Sequence, residues 1–552
     1  MLINEAVEKM RSYLFKQFSL LALICISVPI CALADSERSV EETRSTLVGV
    51  MEALVQKGVL TEEQAKQIVA TAQAKTEAAE KEKVAKELAE KDAVRVTYVP
   101  ENVKAEIKEQ VASEIKPSVV KEVVTQAKNE KWGIPAALPD WISNLTVYGD
   151  VRVRAENADY AEDNAENFYL NYDAVNSAGG VGKAGAAALL NVSQDRFRLV
   201  NRLRVGLMAD LGNSFVADLR LTGGTGRNVN STNQTLGSYN ARGGVNVDKA
   251  AIIWDYISPS INKELEIRLG RFGNPYMSAS ELVWDNDLTF EGLSATYALD
   301  ILGLKVNKME RSLFLTVGAM PLQEVELSTK DKWLYGAQIG SEIPFNESSL
   351  FKMSGAYYSY KNISGVRNTS LSNLKDYTAP RFLQKGNTLF DISNTTDTSV
   401  NLYALAADYR MINFNGVLDV PFISGKRLTI AADFVRNIGF NESNVLAKTG
   451  SQVQGHVDGY DLSLTVGDAS LKSFGKWRAS FGYRYLQRDA VLDAFTDSDF
   501  RLGGTDSKGY QVGYELGLSK STSIKARLMS ASEIDGPPLA IDVYQLDLNS
   551  SF

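Results

Sequence analysis

Arg196, Arg198, Arg202 and Arg204, with Asp210, fall on one side of an extended chain, because side chains along a strand alternate faces with period two. Phe197, Leu199, Leu203, Val205, Leu207, Ala209 and Leu211 fall on the other. One face is oil-compatible and the other ionic. Gly212-Asn213 then marks a tight reversal, after which Phe215, Ala217, Leu219 and Leu221 oppose Ser214, Asp218, Arg220 and Thr222. The same alternation sets Arg152 and Arg154 against Val151 and Val153, and a later stretch carries Arg478 and Arg484. Guanidinium groups in such rows make no covalent chemistry. They hold fixed positive charge on a wet wall, where it orients and sorts charged solutes.

Bond-making chemistry has little to work with. The chain has one histidine, His456, beside Gly455 at a loop-to-strand boundary, and two cysteines, Cys25 and Cys31, both in the N-terminal apolar segment. A processed chain therefore holds no thiolate nucleophile, and neither a zinc site nor a dyad with an orienting partner is evident. Gly223-Gly224-Thr225-Gly226 and Gly179–Gly185 lack the Lys-Ser/Thr and the strand-to-helix context of a phosphate loop, and read as mobile outer loops. Asp285-Asn286-Asp287 with Glu291 lacks the ligand spacing of a calcium loop. The sequence thus implies no catalytic residue, no metal and no cofactor.

The elements that carry the arginines follow from the rest of the chain. With 552 residues, 13 prolines and 44% hydrophobic content, it shows no apolar run after residue 34 near the roughly eighteen residues of a membrane helix. If the chain crosses a membrane, it does so with strands. Net charge is −8, and −9 once residues 1–34 leave with three basic and two acidic residues, which excludes a nucleic-acid binder. Residues 1–34 read as a secretory signal peptide: basic Arg11 and Lys16, an apolar core from Phe18 to Ile30, and Ala32-Leu33-Ala34 before Asp35. Met10 followed by Arg11 would make a better start than Met1.

Residues 35–131 are rich in Ala, Glu, Lys, Val and Gln, and read as a periplasmic helical or coiled-coil segment. Leu47, Val48, Met51, Leu54 and Val55 have helical spacing, Gly58 ends that helix, and Thr61-Glu62-Glu63-Gln64 starts another. Such stripes fit a structural or oligomerising arm, with peptidoglycan contact as the sharper alternative. Residues 132–144 form a linker in which Trp132 and Trp141 suit a membrane interface.

From Leu145 the period becomes two. Sixteen strands are expected near 145–156, 196–211, 214–223, 247–258, 262–271, 289–298, 311–320, 333–342, 349–361, 401–413, 427–438, 456–468, 475–488, 507–519, 521–531 and 540–552. The connections alternate between long ones rich in Gly, Asn, Ser and Asp and mostly short ones, as the two rims of an up-and-down barrel require. The expected fold is an all-β transmembrane antiparallel barrel over 145–552. Its last strand places Tyr544, Leu546, Leu548 and Phe552 on one face. This resembles the C-terminal assembly signal of bacterial outer-membrane barrels, although Ser550 departs from the pattern.

Further runs carry a family resemblance: Leu145-Thr146-Val147-Tyr148-Gly149-Asp150, Leu269-Gly270-Arg271-Phe272-Gly273-Asn274-Pro275, Trp284-Asp285-Asn286-Asp287-Leu288-Thr289-Phe290-Glu291-Gly292 and Lys385-Gly386-Asn387-Thr388-Leu389-Phe390. With the helical preface they resemble the Putative porin family of Gram-negative bacteria. The resemblance implies passive diffusion of small hydrophilic solutes and ions across the outer membrane, with outer-membrane lipid and the barrel-assembly machinery as partners. A homotrimer is compatible with it. In porins of similar design the third long loop narrows the lumen, so Glu281, Trp284, Asp285 and Asp287 are expected to face a basic wall. That wall would comprise Arg152, Arg154, Arg196, Arg198, Arg202, Arg204, Arg220, Arg478 and Arg484. The blander alternative is that these arginines pair with neighbouring carboxylates and keep the lumen wet. The rival functions are a cell-wall tether with little conductance and a barrel hydrolase.

Overall fold

Strict alternation over ten or more residues needs two different solvents on the two sides of a sheet, and the computed structural model supplies them by closing the sheet on itself. The structure describes residues 144–552 apart from 225, 259–262, 300–312, 327, 347 and 370–371. The readings of 1–34, 35–131 and Trp132–Trp141 lie outside these residues.

The first strands are β1 Leu145–Tyr160, β2 Arg196–Gly212, β3 Phe215–Gly223 and β4 Val245–Ser258. They are followed by β5 Lys263–Gly273, β6 Thr289–Leu299, β7 Leu313–Gln323, β8 Lys332–Asn346 and β9 Ser349–Lys361. The last seven are β10 Arg410–Pro421, β11 Arg427–Asn437, β12 Asp458–Gly467, β13 Trp477–Leu486, β14 Ser507–Gly517, β15 Thr522–Glu533 and β16 Ile541–Ser551. Each pairs antiparallel with its sequence neighbour, and β1 pairs with both β2 and β16, setting Asp150 opposite Arg204 on one side and Ser551 on the other. The sheet therefore has no open edge, the condition for strands to cross a bilayer. Sixteen strands leave room for an aqueous bore.

Two local readings are corrected. The tenth strand runs over Arg410–Pro421 rather than 401–413, because Tyr403–Leu405 pairs separately with Leu389–Asp391, and Ala404 to Ala407 are buried inside the barrel. The reversal after β2 is Asn213-Ser214, both at positive φ as a two-residue hairpin turn demands, while Gly212 lies beside a register shift. The long connections are also more ordered than mobile outer loops. The first carries helices Tyr172–Ala178 and Val181–Ala184, and the sixth carries Glu442–Thr449, capped by the Asn441 side chain.

The outer face is apolar, with Val147, Leu203, Leu219, Ile252, Leu269, Ile339 and Leu462 among its exposed side chains. Stacked aromatic pairs mark both rims. Phe215–Trp254, Phe345–Phe351 and Trp477–Tyr514 lie near the short turns, and Trp333–Tyr335 and Tyr460–Tyr485 near the long loops. Such belts belong at the two membrane interfaces.

The inner face is divided. On β5–β9 the inward residues Phe272, Phe290, Met320, Leu334, Tyr358 and Tyr360 are buried, and they form one apolar cluster with residues of the long loops 274–288, 362–409 and 487–506. On β1–β3 and β12–β16 the inward residues are mainly charged or polar. The loops fill the apolar half of the bore because only they can keep those rings from water.

Candidate functional site in the lumen

The third long loop, 274–288, folds into the barrel. Its first half is fastened to the far wall. Gln338 of β8 holds both backbone groups of Met277, accepting from its N–H at 2.7 Å and donating to its carbonyl at 2.9 Å. Ser280 donates to Asp433 of β11 at 2.9 Å, and Asn415 of β10 donates to the Met277 carbonyl. Its middle, Leu282-Val283-Trp284, is buried. Trp284 is 2% exposed and packs against Tyr276, Phe290 and Tyr358. Trp284 is therefore an anchor in the apolar half, and does not face the lumen as expected of a constriction aromatic.

The end of the loop reaches the charged half. Asp287 accepts from Arg202 and Arg204 of β2, each through Nη1 at 2.9 Å. Both arginines also contact Asp150 of β1, at 2.8 and 2.7 Å. The acidic loop and the arginine row thus meet in direct ion pairs.

The other arginines are mostly neutralised in the same way. Arg154 binds Asp547 of β16 at 2.6 Å and Asp499 at 2.8 Å, Arg198 donates to Glu156 at 2.6 Å, and Arg220 to Asp248. Arg484 binds Asp461 of β12 at 2.8 Å and Asp497 at 2.7 Å. Arg152 contacts the Asn233 amide oxygen and no carboxylate among the described residues. Arg196 is exposed at the long-loop end of β2, and Arg478 donates to the Asp468 and Ala469 carbonyls at a short turn. Neither belongs to the mid-lumen group. Nor does β13 adjoin β1, from which β14–β16 separate it. Apart from Arg152, the mid-lumen part of the expected basic wall is a network of alternating charges, because a guanidinium taken from water is costly without a counter-charge.

Sequence reading missed the source of several counter-charges. Asp497 and Asp499 lie in the seventh long loop, 487–506, which also folds inward. Its Phe495 carbonyl accepts from Asp285 N–H at 2.9 Å, its Ser498 N–H donates to the Asp285 carboxylate at 2.9 Å, and its Thr496 hydroxyl donates to the Leu282 carbonyl at 2.8 Å. The fifth long loop clamps this one. Lys385 donates to the carbonyls of Arg501, Leu502 and Gly503 at 2.6 to 3.0 Å, Asn387 donates to those of Arg488 and Val491, and Thr388 donates to Asp489. A composition signal existed: 487–506 mixes five aspartates with Val491, Leu492, Phe495 and Phe500, unlike a solvated loop. Lys525 and Arg527 of β15, also lumen-facing, alternate with Ile524, Ala526 and Leu528 and were equally legible.

Within the loops, Glu281 is held above the usual carboxylate range by burial and the nearby Asp497 charge. Asp285 is raised by burial and by Glu281. Asp499 is held far below that range because Arg527 and Arg154 outweigh its burial. Asp285, Asp287 and Glu291 do not converge. The Asp285 carboxylate accepts from the Asp287 and Ser498 N–H groups, Asp287 is held by arginines, and Glu291 pairs with Arg271. His456 Nδ1 lies 3.4 Å from Asp535, which also takes Arg488 at 2.8 Å, at the long-loop rim.

A closed barrel with a lipid-facing outside, a charged inside and loops folded into its bore defines the class of membrane pore proteins. Residues 44–552 match the family described as Putative porin, and the chain belongs to that family of outer-membrane porins. Similar solved structures include the high-pH form of Pseudomonas putida OprB, at 12% identity over 76% of this chain and 97% of that one, with a TM-score of 0.43. Others are Salmonella typhi OmpF in complex with daunomycin, at 11% over 74% and 97% (TM-score 0.38), and an anion-selective porin from Comamonas acidovorans, at 13% over 74% and 99% (TM-score 0.36). No curated protein matches the sequence.

Proposed function

We propose that this porin passes small hydrophilic solutes and ions along the charged half of its bore, past a constriction made by loops 274–288 and 487–506. The observation that carries the reading is the division of the lumen. Apolar contacts occupy the β5–β9 side where the inward loops pack, so at that level the path for water and solutes runs beside Arg152, Arg202, Arg204, Arg484 and Arg527 and their carboxylates. Paired charges keep that path wet, and charges of both signs close together set a local field that favours polar over apolar solutes. Single-channel conductance of the purified, detergent-folded protein in a planar bilayer tests this. A folded barrel that carries no current would favour the tether instead.

Residues 1–34 are the export signal in this reading, 35–131 a periplasmic arm reaching towards peptidoglycan, and the assembled pore a homotrimer. The final strand, ending in Phe552, serves the assembly machinery. The first strand pairs with both the second and the last, so the described strands close the barrel among themselves, which supports a barrel that folds without the arm. Chemical cross-linking of the full chain in outer membranes tests the trimer, and a single monomeric band would exclude it.

A further inference from the structure

We propose that the cavity between loop 274–288 and strands β12–β15 is a subsite for small zwitterionic solutes, with α-amino acids as the simplest class. Lys525 would take the carboxylate and Glu281 the ammonium group. The inference rests on the channel reading above and names a solute class for that path.

The cavity has a volume of about 270 Å³. That is room for several waters, each about 30 Å³ in the liquid, and hence for a solute of a few heavy atoms. Its charged lining residues are Glu281, Asp461, Arg484, Lys525 and Arg527. Three of these are spoken for. Arg484 binds Asp461 and Asp497, and Arg527 binds Asp499 and the Gln545 side chain. Lys525 makes no hydrogen bond or ion pair with another described residue, and the Glu281 carboxylate accepts only the Asn286 N–H, at 3.0 Å. Glu515 and Asp547 flank Lys525 on the two neighbouring strands without pairing with it directly, so one cation on the wall and one anion on the loop, neither in a direct ion pair among the described residues, line the same cavity. Between them the lining is Ser280, Ser463, Thr465, Ser480 and Gln511, groups that hydrogen-bond without adding charge.

This arrangement discriminates by sign. A monoanion would satisfy Lys525 and meet Glu281, and a monocation would do the reverse. An uncharged polyol can bond to the hydroxyls but gives neither charge a direct ionic partner. Only a solute with opposite charges at its two ends answers both, and discrimination comes as much from the unfavourable pairings as from the favourable one. The constriction then holds a passing zwitterion briefly, which shows as a saturable interruption of ion current.

The test uses the full chain folded in a planar bilayer above neutral pH, where Glu281 is ionised, with potassium chloride current as the readout. Serine should interrupt the current in a concentration-dependent, saturable way, whereas glycerol and lactate should do so far less. Lys525→Met and Glu281→Gln should each weaken the serine effect about tenfold, the order expected for loss of one charge-assisted contact. Exchanging the charges, Lys525→Glu with Glu281→Lys, should restore much of it. Lactate equalling serine, or serine acting unchanged on both single variants while salt current is normal, would overturn the zwitterion subsite and leave the porin reading intact. Absence of salt current in the unmodified protein would instead remove the channel reading.

Discussion

Asp287 of the inward loop lies 2.9 Å from the Nη1 atoms of both Arg202 and Arg204, two residues apart on β2. One carboxylate thus pins the end of the loop to the wall it faces, and Asp150 serves the same two arginines from β1. Pairs of this kind carry little net stabilisation once desolvation is counted, yet removing one member leaves the other buried without a partner.

Reversing charge on β2 should alter selectivity, and the barrel should still form because its backbone pairing does not run through these side chains. In Arg198→Glu with Arg202→Glu, two cations become anions beside Glu156, Asp150 and Asp287, so the local charge on this wall falls by four. The reversal potential in a salt gradient should shift towards cations, and the loop end should loosen as Asp287 loses one of its two arginines. Unchanged selectivity in a normally folded variant would place these side chains away from the ion path.

Selectivity should also depend on pH well above the range of ordinary carboxylates, which are half-titrated near about pH 4. Glu281 and Asp285 belong to the loop rather than to a membrane-crossing strand, and both are raised by burial and by acidic neighbours. A raised acid is protonated below its shifted value and charged above it. As pH rises through neutrality the constriction gains negative charge, so cation preference should grow, and the loop's hold should weaken because burial disfavours the charged forms. On acidification the preference should move towards anions. Reversal potentials measured from acidic to alkaline buffer check this, and Glu281→Gln should flatten the profile. A profile flat in the unmodified protein would contradict the assignment.

The legible part of this fold is the local part. Phe197 to Leu211 against Arg196 to Asp210 identifies a strand from its own residues, and repeating that reading locates all sixteen strands to within a few residues except β10. There the stretch after Asn401 is apolar, as a strand would be, but Ala404–Ala407 is buried among loop residues. The lumen contents were not legible, because they depend on partners far apart in sequence. Asn230 donates to the Thr496 carbonyl across 266 residues, and Arg154 meets Asp547 across 393. Trp284 shows the limit clearly. It stands beside two aspartates that suggest water, yet its ring is buried by Tyr276 and Tyr358.

Phe552 adds the last rung to the β1–β16 seam. Its backbone exchanges both hydrogen bonds with Gly149 at 3.1 Å, and its ring covers the space that a Gly149 side chain would occupy. Deleting Phe552 removes this last rung and the aromatic end of β16, so assembly into the outer membrane should fall, with more unfolded protein in the periplasm. Heat-modifiable mobility on gels reports the folded fraction. Wild-type levels of folded barrel in the deletion would count against a role for the terminal residue.

Trp284 offers a way to open the constriction without touching a charge. Its ring is packed by Tyr276, Phe290 and Tyr358 with centroids 5.0 to 6.4 Å away, and it belongs to the loop rather than to any strand. Truncation to alanine in such a site costs about 3–5 kcal/mol. The cost should fall on the loop's attachment, because the barrel register is made by backbone bonds that Trp284 does not share. Gln338 and Asp433 would still hold the first half of the loop, and Arg202 and Arg204 its end at Asp287, so the segment between them would keep only its hydrogen bonds to loop 487–506 and should become more mobile. Trp284→Ala should show larger and noisier single-channel current, and a protease added to the detergent-folded barrel should cut between residues 281 and 288. Unaltered current with the loop still resistant would mean that the loop is held by its polar tethers alone.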